Sequence, residues 1–184
     1  QFIKNTGTHL FLTGKAGTGK TTFLKNLREQ LPKRMVVLAP TGIAAINANG
    51  VTIHSFFQLP FSPYIPNTTF RSNATPFHFG KEKQRIIRTM DLLVIDEISM
   101  VRADLLDTID VVLRRYRDRS KPFGGVQLLM IGDLQQLPPV VRDEEWTLLG
   151  KYYDSPYFFS SLALKQTGYI TIELKHVYRQ NDLE

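Results

Sequence analysis

His9-Leu10-Phe11-Leu12-Thr13-Gly14-Lys15-Ala16-Gly17-Thr18-Gly19-Lys20-Thr21-Thr22 is the stretch on which the fold turns. His9–Thr13 is a short apolar run that reads as a strand, and a glycine-rich turn follows it. Lys20–Leu31 then reads as a helix, stopped by Pro32. Gly14 to Thr21 fits the pattern G-x-x-x-x-G-K-[ST] in the strand–turn–helix setting that the pattern requires. Its glycines let backbone N–H groups curl around phosphate oxygens, and the helix N-terminus adds roughly half a positive charge at the same point. The cradle on this reading is Gly14, Ala16, Gly17, Thr18, Gly19, Lys20, Thr21 and Thr22. Lys20 would reach the β- and γ-phosphates of ATP, and the Thr21 hydroxyl would ligate Mg²⁺. A glycine turn that merely caps a helix is the simpler alternative.

Outward from that loop, strand and helix signals alternate. Met35–Ala39, Leu92–Ile95 and Gln127–Ile131 are continuous apolar runs of the kind buried on both faces of a parallel sheet, and Gly168–Leu174 supplies another strand. Val101, Leu105, Leu106, Ile109, Val112, Leu113 and Tyr116 recur at helical spacing, predicting an amphipathic helix from about Arg102 to Arg117. The fold class is therefore α/β: a P-loop NTPase with a parallel sheet and helices on both faces.

The loop needs acids to hold a metal. Asp96 and Glu97 follow the apolar strand Leu92–Ile95, at the sheet edge where ligands bind. Asp96 is placed for Mg²⁺ and Glu97 for taking a proton from an attacking water, a pairing that favours hydrolysis over kinase chemistry. Taken alone, adjacent acids there are more often a solvated turn. Gly132-Asp133-Leu134-Gln135-Gln136-Leu137-Pro138-Pro139 follows the next strand. Its prolines are expected to hold the Gln136 amide firmly, as a sensor of the γ-phosphate. Arg179, in Val177-Tyr178-Arg179-Gln180, could meet transition-state charge; by itself it reads as a surface ion pair.

One stretch breaks the alternation. Between Met35 and Phe70 there is no Asp, Glu, Lys or Arg, and Leu59–Phe79 holds Pro60, Pro63, Pro66 and Pro76 among Phe61, Tyr64, Phe70, Phe77 and Phe79. Those prolines forbid a central strand or a long helix. Residues 59–83 are assigned to a small irregular or hairpin-like insert, and 1–58 with 84–184 to the main domain. Phe56 and Phe57 read as core.

Composition bounds the rest. With 184 residues, about 70% of the unfolded surface can be buried without a staple. The chain has no Cys, which excludes disulfides and thiolate chemistry, and its four His form no HxxxH pair. There is no apolar run of membrane-spanning length. Residues 1–90 carry twelve Lys or Arg against two acids, while 91–184 carry eleven against fifteen. A polyanion facing the basic half is the simplest functional account of that asymmetry, a solvated surface the plain one.

In this order the motifs resemble the first RecA-like motor domain of superfamily-one 5′-to-3′ DNA helicases, Pif-type and RecD-like above all. GKAGTGKT resembles their first motif, APTGIAA with GVTIHSFF the DNA-contact motifs, LLVIDEISMV the second, GDLQQLPPV the third and HVYRQND the fourth. The resemblance implies that Lys20 and Thr21 serve phosphate and Mg²⁺, Asp96 the metal and Glu97 water activation. It likewise implies that Gln136 couples the γ-phosphate to movement and that Arg179 meets transition-state charge. It implies that Pro40, Thr41, Gly42, Asn47, Thr52, His54 and Ser55 touch the backbone of single-stranded DNA; a satisfied histidine is the alternative for His54. The insert would be a wedge at a DNA fork, its aromatics stacking on a base or forming a small core of their own. The family's adenine-reading Gln lies farther upstream than Gln1, and the second RecA-like domain would follow Glu184. With Gln1 rather than Met first, neighbours are expected beyond both ends.

The expected partners are single-stranded and fork or duplex DNA and that second domain; a monomer, no membrane and bacterial cytoplasm are expected. The isolated 184 residues are expected to bind nucleotide, hydrolyse it poorly and not unwind DNA. The alternative is a P-loop ATPase switch or clamp-loader-like module acting on protein partners, which would not need APTGIAA or TIHS.

Overall fold

A computed structural model describes residues 1–66 and 78–177. Strands β1 (Leu10–Gly14), β2 (Met35–Ala39), β3 (Val51–Thr52), β4 (Leu92–Ile95), β5 (Gln127–Gly132) and β6 (Ile170–Leu174) form one sheet in the order β3-β2-β4-β5-β1-β6. Every neighbouring pair is parallel. The helices are α1 (Phe2–Asn5), α2 (Lys20–Gln30), α3 (Gly42–Asn47), α4 (Ile53–Phe57), α5 (Lys81–Thr89), α6 (Ala103–Tyr116), α7 (Asp143–Leu149) and α8 (Leu162–Thr167). Among the described residues no helix is long and apolar enough to cross a membrane.

Side chains along a strand alternate between the faces of the sheet, and the core divides accordingly. Leu93 and Ile95 of β4 and Leu128 and Met130 of β5 join Ile87, Leu106, Ile109, Val112 and Phe158 on one side. Leu92 and Val94, with Leu129 and Ile131, join Ile3, Leu10, Leu12 and Leu24 on the other. Each fully buried Leu or Ile stabilises by about 1.5–3 kcal/mol, and the continuous apolar runs are needed because both faces are covered. Phe56 and Phe57 are core residues, as their pattern predicts.

β5 separates β1 from β4, with Thr13 beside Gly132 and Ile95 beside Met130. The carboxyl ends of three strands, carrying the glycine loop, Asp133 and Asp96, therefore lie side by side. A buried carboxylate fastens the flank: Asp107 of α6 accepts hydrogen bonds from the Tyr153 and Ser161 hydroxyls and from the N–H groups of Leu162 and Ala163.

The long uncharged stretch contains elements that periodicity does not announce. β3 has two residues, and α3 and α4 have six and five. Elements this short carry no readable period; their caps define them, Thr41 accepting from the Ala44 N–H and Thr52 from the Ser55 N–H. The last strand begins at Ile170, because Gly168 at φ +70° ends α8 and turns the chain. Within the 59–83 assignment, residues 67–77, including Phe70, Pro76 and Phe77, lie outside the described residues. Leu59–Pro66 runs without helix or strand, Leu59 and Phe79 are buried in the main core, and α5 starts at Lys81.

Candidate functional site

The glycine loop owes its shape to backbone that side chains resist. Gly17 and Gly19 have φ of +78° and +90°, the region glycine enters without steric cost. A Cβ on Gly14 would stand 2.6 Å from the Thr18 hydroxyl and 2.8 Å from the Leu174 carbonyl oxygen. Thr18 braces the turn, its buried hydroxyl donating to the Lys15 carbonyl at 2.7 Å. Gly19 caps α2 with no side chain, and the first turn carries no acid. The first bond of the helix runs from the Phe23 N–H to the Gly19 carbonyl at 2.8 Å. The N–H groups of Lys20, Thr21 and Thr22 therefore have no acceptor within the helix. Ala16, Gly17, Thr21 and Thr22 face solvent, and the Lys20 ammonium donates to the carbonyls of Gly14 and Lys15. Three N–H groups without helical acceptors beside a cation suit a polyphosphate.

Across β5, Asp96 is anchored by its N–H to the Leu38 carbonyl at 2.8 Å. Glu97 sits at φ +52°, a left-handed conformation that costs a non-glycine residue about 1–3 kcal/mol. Its N–H donates to the Asp96 carboxylate at 2.9 Å. Burial raises the pKa of both acids above the ordinary carboxylate range; the Lys20 ammonium opposes the rise in each, and Asp96 and Asp133 reinforce it in Glu97. Lys20 thus acts on two carboxylates almost eighty positions away in the chain. The Thr21 hydroxyl and the Asp96 carboxylate are hard oxygen donors. They fit Mg²⁺, which takes one or two protein ligands and completes its shell with phosphate oxygens and water. Among the described residues no cluster of three His, Cys, Asp or Glu offers a site of another kind.

Gln136 departs from expectation. Its N–H donates to the Asp133 carbonyl at 3.0 Å, yet the residue is exposed, so the prolines do not hold its amide. Proline restricts its own φ and the backbone of the residue before it, and leaves a side chain two positions back free to rotate. Arg179 lies outside the described residues.

On the nucleic-acid side the seven candidates divide. Thr41 and Thr52 are helix caps whose oxygens already accept a backbone N–H; Gly42, Asn47 and Ser55 are exposed; Pro40 is half-buried. His54, half-buried, stacks on Phe61 with ring centroids 4.7 Å apart and planes at 17°. Burial and the nearby Arg102 guanidinium lower its pKa, with Asp104 opposing. Pro40, Thr41, His54 and Phe61 line a cleft of about 250 Å³, and Phe61 is 84% exposed at its mouth.

Three further members of that cleft escape a motif search. Asp104 accepts the Tyr64 N–H at 3.0 Å, and Arg102 grips both Asp104 oxygens at 2.8 and 2.7 Å while reaching Glu145 of α7 at 3.4 Å. The network ties the proline-rich strap to α6 and α7. Its only signal in the sequence is an Arg-x-Asp at the head of an amphipathic helix, which looks like an ordinary polar face.

The PIF1-like helicase family matches residues 1–183. ATP-dependent DNA helicase PIF1 of Emericella nidulans is 36% identical over 186 residues, covering 97% of this chain and 23% of that protein. The protein of the same name from Homo sapiens is 38% identical over 180 residues, covering 96% of this chain and 26% of its own length. Among solved structures, one described as two coordinating Pif1 helicases unwinding forked dsDNA superposes with a TM-score of 0.91 at 49% identity, covering 98% of this chain and 43% of that one. Bacteroides Pif1 bound to ssDNA gives a TM-score of 0.88 at 50% identity, over 95% of this chain and 40% of that one. The chain spans about a fifth to a quarter of the curated relatives it matches.

Proposed function

The chain belongs to the PIF1-like helicase family, and from that premise we propose that it is the ATP-binding motor half of a DNA helicase that moves along single-stranded DNA. One observation carries the proposal: the glycine loop after β1 and the Asp96–Glu97 pair after β4 flank β5 at the same sheet edge that bears the cleft of Pro40, Thr41 and His54. ATP lies in the glycine loop, with the N–H groups of Lys20, Thr21 and Thr22 on its phosphates. Thr21 and Asp96 would hold Mg²⁺, which would supply neutralisation of phosphate charge. Glu97 takes the proton of the attacking water, its raised pKa making it the stronger base. Lys20 stabilises the charge that develops on the transferred phosphoryl group. Gln136, exposed, swings to the γ-phosphate, and Arg179 adds a second cation.

Hydroxyl and backbone groups grip a DNA backbone without reading its sequence, and a stretch free of fixed charge lets the strand slide. Relatives described as bound to ssDNA or unwinding forked dsDNA support that partner; the same reading takes the motor to be a monomer whose second RecA-like domain closes over the nucleotide. ATPase assays of the parent protein with and without poly(dT) test this. Stimulation of tenfold or more is expected, against none for a switch acting on protein partners, which would overturn the motor. The isolated 184 residues are expected to bind nucleotide without displacing a strand.

A further inference from the structure

Three helical threonines bond back to the preceding turn: Thr89 to the Arg85 carbonyl, Thr108 to Asp104 and Thr147 to Asp143, at 2.8 to 2.9 Å. Ser99 does not. It sits in the single turn of 3₁₀-helix Ile98–Met100, directly after Asp96 and Glu97, and is 1% exposed. Among the described residues its Oγ is the buried side-chain polar atom left without a hydrogen-bond partner. A buried hydroxyl in that condition costs about 1–3 kcal/mol, so a group that does nothing else should be an alanine.

Its surroundings indicate what it is for. The turn packs flush on the end of β5: a Cβ on Gly132 would meet the Ser99 nitrogen at 3.2 Å and the Ile98 side chain at 3.0 Å. Glycine at 132 is thus what lets the two acids' turn touch the root of the Asp133–Gln136 turn. That second turn is held by the Asp133 carboxylate accepting the Gln135 N–H and by the Gln136 N–H on the Asp133 carbonyl. Its Gln136 is exposed and, on the motor reading, is the group that moves to sense the γ-phosphate.

We propose that Ser99 is a positioning residue: when Gln136 swings to the nucleotide, the Gly132–Gln136 turn supplies the partner the Ser99 hydroxyl lacks, locking the sensor against the catalytic acids. The bond forms only in the nucleotide-engaged arrangement, so its energy favours that arrangement alone. The inference rests on the motor function proposed above and adds a component to it.

Ser99→Ala in the full-length protein tests it, with thermal unfolding, DNA-stimulated ATPase and unwinding measured on the same preparation. The melting temperature should hold or rise, since an unpaired buried hydroxyl is removed. DNA-stimulated turnover should fall about fivefold, the worth of one net hydrogen bond, with the KM for ATP within twofold. In a Gln136→Ala background the same change should lower turnover less than twofold, because both act through one contact. A lowered melting temperature with unchanged turnover would make Ser99 merely structural and overturn the proposal, as would full additivity with Gln136→Ala. Wild-type protein lacking DNA-dependent ATPase would instead remove the motor function, whereas a stimulated wild type and an equally active variant would remove only the role of Ser99.

Discussion

The two edges of the sheet are built on opposite principles. At the amino edge polar groups are paired: Lys33 donates to the carbonyls of Ile3 and Thr6 and to Gln127, whose amide donates to the Thr8 carbonyl. There His9 Nδ1 accepts the Leu128 N–H at 2.9 Å, and Arg34 is forked onto Asp91. At the carboxyl edge Glu97 is left-handed, helix N–H groups lack acceptors, Ser99 is unpaired and two acids are lifted by burial. Satisfied groups hold a fold together; groups left wanting are free to bind. Polar groups left unpaired at one edge are what a binding site requires, and the paired groups of the other edge supply the stability that makes them tolerable.

The sharpest way to break this contrast is Glu97→Gln. Loss of a general base should cut ATP turnover about 10³-fold, roughly 4 kcal/mol, while leaving nucleotide affinity and melting temperature in place. A fall of less than tenfold in steady-state ATPase would remove Glu97 from the role. Because burial raises its pKa, turnover should decline on the acid side at a pH above 4.5, Glu97 being active only when ionised.

At the amino edge the expected response is in stability. Burial lowers the His9 pKa from 6.5 to about 4. The fold therefore favours the neutral ring, and that contribution is complete above pH 6.5 and is lost as pH falls from 6.5 toward 4. Between pH 7.5 and 4.5 the loss should amount to about 2–3 kcal/mol, read by urea unfolding against a His9→Gln control. A wild type no more acid-sensitive than the control would show that this edge carries no such burden.

Phe61→Ala should weaken single-stranded DNA binding by the parent protein about tenfold, within the 1–3 kcal/mol of one stacked base, without altering nucleotide affinity. Fluorescence anisotropy on oligo(dT) measures this, and unchanged affinity would return Phe61 to the role of a cover for His54. The smallest effect belongs to the caps. Thr52→Ala should cost about 1 kcal/mol of stability, seen in the melting temperature; a loss of DNA affinity beyond that seen with Thr41→Ala would mean that the hydroxyl also grips the strand.

What sequence could read follows from locality. The glycine loop, the four long apolar strands, the amphipathic α6 and the acids after Leu92–Ile95 all declare themselves within a window of a dozen residues, because turn chemistry and strand burial leave a local pattern. Thr41 and Thr52 were legible as polar residues in a nucleic-acid motif but not as caps, since α3 and α4 are shorter than any period that would reveal them. Phe61 was legible as one aromatic among five, with nothing to single it out.

The chain's own order thus determined that a phosphate cradle and a pair of carboxylates would stand at strand ends in an α/β sheet. Tertiary structure alone decided that β5 lies between them, that Glu97 is left-handed, that Gln136 is exposed despite its prolines, and that Arg102 ties Asp104 to Glu145. Strand neighbours, burial and the completeness of a hydrogen-bond shell are set by residues far apart in the chain. No local pattern encodes which distant group will arrive to satisfy a given atom, or that for Ser99 none does.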